Sequence, residues 1–166
     1  MKKKFLAAVS IAAMLLVGCT SNVERYGEPL IFSTGTTTGV FYSLGAGIST
    51  MWTNELEKRV ASQASNGSIE NINLMRKGEA NISFTTINIA YEAYNGVGSF
   101  EGKQYEDLRL LGNSYPNISH IIVKNDDTYN EISDLKGTSF VFGAAGSATE
   151  VESRLVLEAH GITGED

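Results

Sequence analysis

Two Gly/Ser/Thr-rich loops, each set between a short apolar run and an amphipathic stretch, constrain this chain more than any other feature. The first, Gly35-Thr36-Thr37-Thr38-Gly39, follows Leu30-Ile31-Phe32. The second, Gly143-Ala144-Ala145-Gly146-Ser147-Ala148-Thr149, follows Phe140-Val141-Phe142. A strand–loop–helix unit of this kind aims backbone N–H groups and hydroxyls at one spot, with a helix N-terminus behind them. The first four helical N–H groups lack internal partners and carry partial positive charge, so such a unit receives anions. Two of them in one chain suggest two jaws of a ligand cleft.

Hydrophobic spacing extends the pattern. Leu30–Ser33 reads as a buried strand, and Val40, Phe41, Leu44, Ile48 and Met51 then recur at helical spacing. Gly45 and Gly47 inside that helix weaken it relative to alanine, which points to close packing against a neighbour. Val60–Ala64 reads as a strand, and Ser68 opens a helix that carries Ile69, Ile72 and Met75 and stops before Gly78. Asn81–Thr85 alternates as a strand does, and Ile87–Asn95 reads as a helix stopped by Gly96. Leu108–Leu111, His120–Val123 and Ser139–Phe142 read as further strands, Ile132–Lys136 as a short helix, and Val151–His160 as a helix stopped by Gly161. Strands alternating with helices indicate an α/β fold with a mostly parallel sheet, in which ligands bind at the carboxyl ends of strands.

The start of the chain is a targeting segment. Lys2-Lys3-Lys4 precedes an apolar stretch from Phe5 to Val17 that is short for a bilayer span. Leu16-Val17-Gly18-Cys19 resembles the bacterial lipobox, in which Cys19 becomes the lipidated first residue of the mature protein. An ordinary signal peptide or a short anchor is the other reading. Residues 1–18 are thus expected to be a lipoprotein signal peptide and residues 19–29 a tether. Cys19 is the one cysteine of the chain, so no internal disulfide is expected. Removing residues 1–18 removes three lysines and moves the formal charge from −6 to −9. That acidic balance argues against nucleic acid as a partner. At the other end, the last helix is followed by only four residues beyond Ile162 where another strand is expected, so the chain reads as the front part of a longer protein.

The residues present suit binding better than catalysis. Thr36, Thr37 and Thr38 offer three hydroxyls to a carboxylate or phosphate, while Gly35 and Gly39 permit close approach; turn glycines and a helix cap are the structural alternative. The loop has neither the Gly-Lys-Ser/Thr end of a P-loop nor the Gly-x-Gly-x-x-Gly spacing of a dinucleotide fold. Ser68 is either a helix cap or a ligand contact, and Asn71, one turn in, faces either the cleft or solvent. Thr86 and Asn88 stand at the next strand-to-helix junction with the same two readings. Ser147 caps the last helix and Glu150 sits at capping-box spacing, leaving amides and the Thr149 hydroxyl for a ligand. No nucleophile elbow, acid/base pair or His/Cys/carboxylate cluster at metal spacing is visible, so neither an enzyme, a cofactor nor a metal is expected.

In order along nearly the whole mature chain, several segments resemble the TAXI family, the extracytoplasmic solute receptors of TRAP transporters. They are Thr34 to Tyr42 with Leu44-Gly45, Gly67 to Ile72, Gly78 to Ala80 with Ala90 to Gly96, Leu108-Arg109, Tyr115 to Asn117 with His120-Ile121, Asp134 to Gly137 and Gly143 to Glu152. The resemblance implies a class II periplasmic-binding-protein fold: two α/β lobes with mixed or mostly parallel sheets, closing on a ligand. Lobe 1 would be residues 30–117, and residues 118–166 would begin lobe 2. The implied function is capture of a small organic acid or amino acid, such as glutamate or a dicarboxylate. Delivery would be to a TRAP-type membrane permease, without an ATP-hydrolysing partner.

The ligand-binding positions carried over by the resemblance are Gly35, Thr36, Thr37, Thr38, Gly39, Tyr42, Ser68, Asn71, Gly146, Ser147, Ala148 and Thr149. Thr86 and Asn88 depart from the family's pattern, where Gln and Asp are expected. That change favours a carboxylate ligand that does not need an amine. The other readings are an ABC-transporter receptor or a sensor of the same fold and, with less support from the residues, a hydrolase or transferase using the loop hydroxyls.

Overall fold

The computed structural model describes residues 27–163. The expected signal peptide, Cys19 and the tether up to residue 26 lie outside the described residues. The ordered elements are β1 (Leu30–Ser33), α1 (Val40–Glu55), β2 (Val60–Gln63), α2 (Ser68–Arg76), β3 (Ile82–Ser83) and α3 (Ile87–Asn95). Two 3₁₀ turns, Gly98–Phe100 and Ile132–Leu135, and a last helix, α4 (Ala148–Ala159), complete the set. The fold is α/β with a parallel open sheet, as expected of a periplasmic-binding-protein-like chain.

The sheet has three strands in the order β2-β1-β3, all parallel. Leu30 pairs with Val60 on one side, and Ser33 pairs with Ser83 on the other. The chain therefore crosses from β1 to β2 in one direction and from β2 to β3 in the other. Right-handed crossovers then place α1 and α2 on opposite faces. Side chains agree. On the α1 face, Trp52, Phe32, Phe84, Phe41 and Tyr115 form a continuous run of rings with successive centroids 5.6, 4.9, 4.9 and 6.2 Å apart. On the α2 face, Ser33 and Ser83 join hydroxyl to hydroxyl, and Ser83 Oγ donates to the Asn71 carbonyl at 3.4 Å.

α1 sits close because Gly45 faces the sheet. A Cβ there would lie 2.2 Å from Thr34 Cγ2, whereas nothing stands within 4 Å of one at Gly47. The close packing expected of the two glycines thus belongs to Gly45 alone. The buried positions of α1 are Gly45 and Ser49, and the apolar Val40, Leu44 and Met51 are exposed. The spacing of large apolar residues marked the helix but not the side that meets the sheet, because a glycine and a serine admit the strand where bulkier residues would hold it off.

The main core lies on the α2 face: Ile72, Ile89, Ala93, Phe100 and Ala148, with Ile69, Tyr105, Leu108 and Val151 against it. Ala148 belongs to α4, so the last described helix shares a core with α2 and α3. A smaller cluster joins Leu135, Leu157 and Ile162 to Tyr129, Ile132, Phe140 and Phe142.

The expected strands at Leu108–Leu111, His120–Val123 and Ser139–Phe142 do not form; these residues pair in no ladder. Leu110, Ile122 and Val141 stand largely in solvent. An alternating or apolar run becomes a strand only when another strand meets its backbone groups, and no described strand reaches these three. The third expected strand is also shortened to Ile82–Ser83, although Asn81 extends its hold by accepting from the Ile31 amide at 2.8 Å. The expected helix at Ile132–Lys136 is a 3₁₀ turn, and α3 ends at Gly96 in the left-handed conformation, as its sequence predicts.

Candidate functional site

The carboxyl ends of β1 and β3 adjoin at the point where the strand order reverses, which is where open α/β sheets take ligands. Phe84 N donates to Ser33 O at 3.1 Å, so the chain leaving β3 runs beside the chain leaving β1. From β1 it enters the first loop. Gly39 N closes back on Thr36 O at 2.8 Å, and this turn leaves Thr36, Thr37 and Thr38 exposed. Gly39 is the N-cap of α1 and no side chain closes it; Thr86 is the N-cap of α3 and no side-chain bond closes that helix either. Two helix starts with uncapped amides therefore sit at neighbouring strand ends. The Phe41 and Phe84 rings, 4.9 Å apart, tie α1's first turn to the end of β3. Residues 30–54 and 80–91 contain no Asp, Glu, Lys or Arg, so neither helix start carries a charged side chain of its own to offset its positive end.

Beneath this mouth lies a polar floor. Asn71 is fully buried, and its Nδ2 donates to Thr34 O at 2.6 Å and Phe84 O at 2.8 Å, tying the ends of β1 and β3 together. Asn71 therefore faces the sheet ends, neither open cleft nor solvent. Its Oδ1 is buried without a partner, as is Thr86 Oγ1. Ser68 is not a cap: Gly67 holds that position at φ +120°, and Ser68 Oγ accepts from Thr86 N at 3.1 Å. Tyr42 and Asn88, on the first turns of α1 and α3, are half-buried. Tyr115 stacks edge-on against Phe41, and burial pushes its phenol up from the ordinary value.

The second loop is built differently. Ser147 caps α4 by accepting from Glu150 N at 3.1 Å. The Glu150 carboxylate does not return to the amide of the cap residue itself; it accepts from Gly146 N at 3.0 Å and pairs with Arg154 at 3.1 Å. The Gly146 amide, with Arg154 adding to it, holds the Glu150 carboxyl below the usual carboxylate range. The Gly146 carbonyl in turn accepts from Ile69 N at 3.1 Å and Glu70 N at 3.4 Å, filling the start of α2. Ala148 is buried in the main core, and Thr149 is the residue of this loop that presents a hydroxyl to solvent, beside the exposed Gly143 and Ala145.

The structure thus brings Gly35–Gly39, Tyr42, Thr86 and Asn88 to one end of the sheet, sets Ser68 and Asn71 under it, and places Gly146–Thr149 against the start of α2. Sequence reasoning missed Thr34, fully buried with its Oγ1 donating to Gln63 O at 2.8 Å, and the Phe41–Phe84 pair. The one available signal for Thr34 was its place next to Gly35, with Gly45 nearly two α1 turns beyond the cap.

Other hollows lie elsewhere. One of about 290 Å³ opens beside the small cluster, between Phe140, Phe142, Arg154 and Leu157. Another of about 350 Å³ lies between α1 and the β2 edge, with the Ser49 and Ser62 hydroxyls unpartnered at its wall. Among the described residues no cluster of His, Cys, Asp and Glu is placed to hold a metal ion, and no helix is long and apolar enough to cross a membrane. Compared with known protein families, the chain matches the model of the NMT1-like family over residues 32–166.

Proposed function

Because the chain belongs to the NMT1-like family, a periplasmic-binding-protein-like family of solute binders that are typically extracytoplasmic, we propose that it is the receptor of a TRAP-type secondary transporter of the TAXI kind. Its solute is a small carboxylate or amino acid. Residues 30–117 form its first lobe and residues 118–166 begin the second. Cys19, lipidated, ties it to the membrane, and the site does no chemistry on what it binds.

One observation carries the reading. Two uncapped helix starts, α1 and α3, meet at adjacent strand ends in a stretch without charged side chains. A carboxylate oxygen there accepts from the first-turn amides and from the hydroxyls of Thr36, Thr37 and Thr38, while Gly35, buried against Phe41, and Gly39, folded onto Thr36, shape the turn that presents them. Tyr42, Thr86 and Asn88 complete the near wall, and Ser68 and Asn71 hold it in register. Gly146, Ser147, Ala148 and Thr149 bound the site from α4, with the Thr149 hydroxyl as their direct contribution. Asn88 is neutral, so no carboxylate from that position demands an ammonium group.

The test is a thermal-shift titration of the mature protein against glutamate, 2-oxoglutarate, succinate and simple monocarboxylates. A ligand that binds only the native state raises the melting temperature with concentration. A rise with one carboxylate, lost when Thr36, Thr37 and Thr38 become alanine, is expected. No rise with any member of the set overturns the carboxylate assignment, and glutamate binding far more tightly than 2-oxoglutarate overturns the reading of Asn88.

A further inference from the structure

We propose that the joint between Gly146 and the first turn of α2 is an internal latch. It holds the segment carrying the second loop closed against the first part of the chain before any solute arrives. The proposal rests on the receptor reading above, since it concerns how that site opens.

The joint has three parts. The Gly146 carbonyl sits where an anion would sit on α2, taking the amides of Ile69 and Glu70 at 3.1 and 3.4 Å. Gly67 and Ser147 meet back to back: a Cβ on Gly67 would lie 3.4 Å from Ser147 Cβ. Ala148 and Val151 seat in the apolar pocket of Ile72, Ile89, Ala93 and Phe100. Each element supplies what the other lacks. The α2 start has an N-cap glycine with no side chain to close it, and the second loop supplies the Gly146 carbonyl, held in place by the Glu150 carboxylate on Gly146 N and by the Ser147 cap on Glu150 N.

A joint made of self-complementary backbone and a dry apolar seat needs no solute to form. It therefore works as a two-state element whose balance a solute shifts only by binding the two states unequally. Opening exposes Ala148 and the α2 amides together and moves Gly146–Thr149 away from the first part of the chain.

Pulsed spin-label distances test this directly. Labels go on the exposed positions Lys77 and Glu158, in the full mature chain with Lys77→Cys, Glu158→Cys and Cys19→Ser. Without solute, the otherwise native chain should give one narrow, short distance. Ala148→Asp, which puts a carboxylate into the core, and Val151→Lys, which changes only a half-buried position of α4, should each give a longer and broader distribution. Circular dichroism checks that each variant is folded, and Val151→Lys decides the matter if Ala148→Asp does not fold. The same distribution in the native chain and the folded variants, whether short or long, overturns the latch. Because the readout is taken without solute, a failure to find any carboxylate ligand would sink the receptor reading and leave this result standing.

Discussion

The two Gly/Ser/Thr loops look alike on paper and behave as opposites. Both follow an apolar run and both open a helix. At the first, the cap position holds Gly39, no side chain reaches the α1 amides, and three threonines stand in solvent. At the second, the cap position holds Ser147, and Glu150 brings its own carboxylate to Gly146 N. A helix start that carries its own carboxylate is an anion site already occupied. A serine and a glutamate three residues later are enough to turn a candidate ligand loop into a structural joint, and glycine at the cap keeps the other open.

Changes at either loop break or sharpen this contrast. The largest effect is expected beneath the first. Asn71→Leu strips the Thr34 and Phe84 carbonyls of their buried donor and should cost about 3 kcal/mol in urea denaturation. An unchanged midpoint would mean that the strand ends need no clamp. Next comes the approach of α1 itself. Gly45→Ala should destabilise by about 2 kcal/mol because its Cβ collides with Thr34, while Gly47→Ala should stabilise by about 0.5 kcal/mol. Equal effects of the two would remove the packing argument.

Removing the cap with Ser147→Ala should cost about 1 kcal/mol. Replacing Thr36, Thr37 and Thr38 together by alanine should alter stability by less than about 0.5 kcal/mol, yet weaken solute binding about tenfold by calorimetry. A triple variant that melts early but binds normally would reverse the roles assigned to the two loops.

The smallest effect is a pH dependence confined to the second loop. The Glu150 carboxyl is held low by the Gly146 amide and Arg154, so its contribution is fully present above its unfolded value. It is lost as pH falls through the lower folded value. The melting temperature should therefore drop more steeply between about pH 5 and pH 3 in the native chain than in Glu150→Gln. Parallel curves would show that the carboxylate does not matter to the joint.

How far the sequence could be read follows from the range of each signal. Helices α1, α2 and α3 and the stop at Gly96 were legible because a helix closes its hydrogen bonds within its own few turns. The runs at Leu108–Leu111, His120–Val123 and Ser139–Phe142 were misread because strand pairing is settled elsewhere in the chain, and pattern alone does not supply the partner. The side of α1 that meets the sheet was only half visible for a related reason: the deciding atoms are the absent Cβ of Gly45, which the sequence does not separate from that of Gly47, and the Thr34 methyl opposite it. At the site, the threonines and the cap of α4 could be foreseen locally. The fate of Ser68, Asn71 and Gly146 could not, since each bonds to a segment far along the chain.

Trp52 is the one tryptophan of the chain, and it stacks on Phe32 at the far end of the ring series from Tyr115. The protein therefore carries its own optical gauge. Light absorbed selectively by that indole returns emission from a single known place, separated from Phe41 at the mouth of the first loop by only Phe32 and Phe84. A change in colour or lifetime when solute is added would locate the response in the ring series and follow occupancy in real time, without a dye. Steady emission from a sample shown by calorimetry to be saturated would confine the response to the loop.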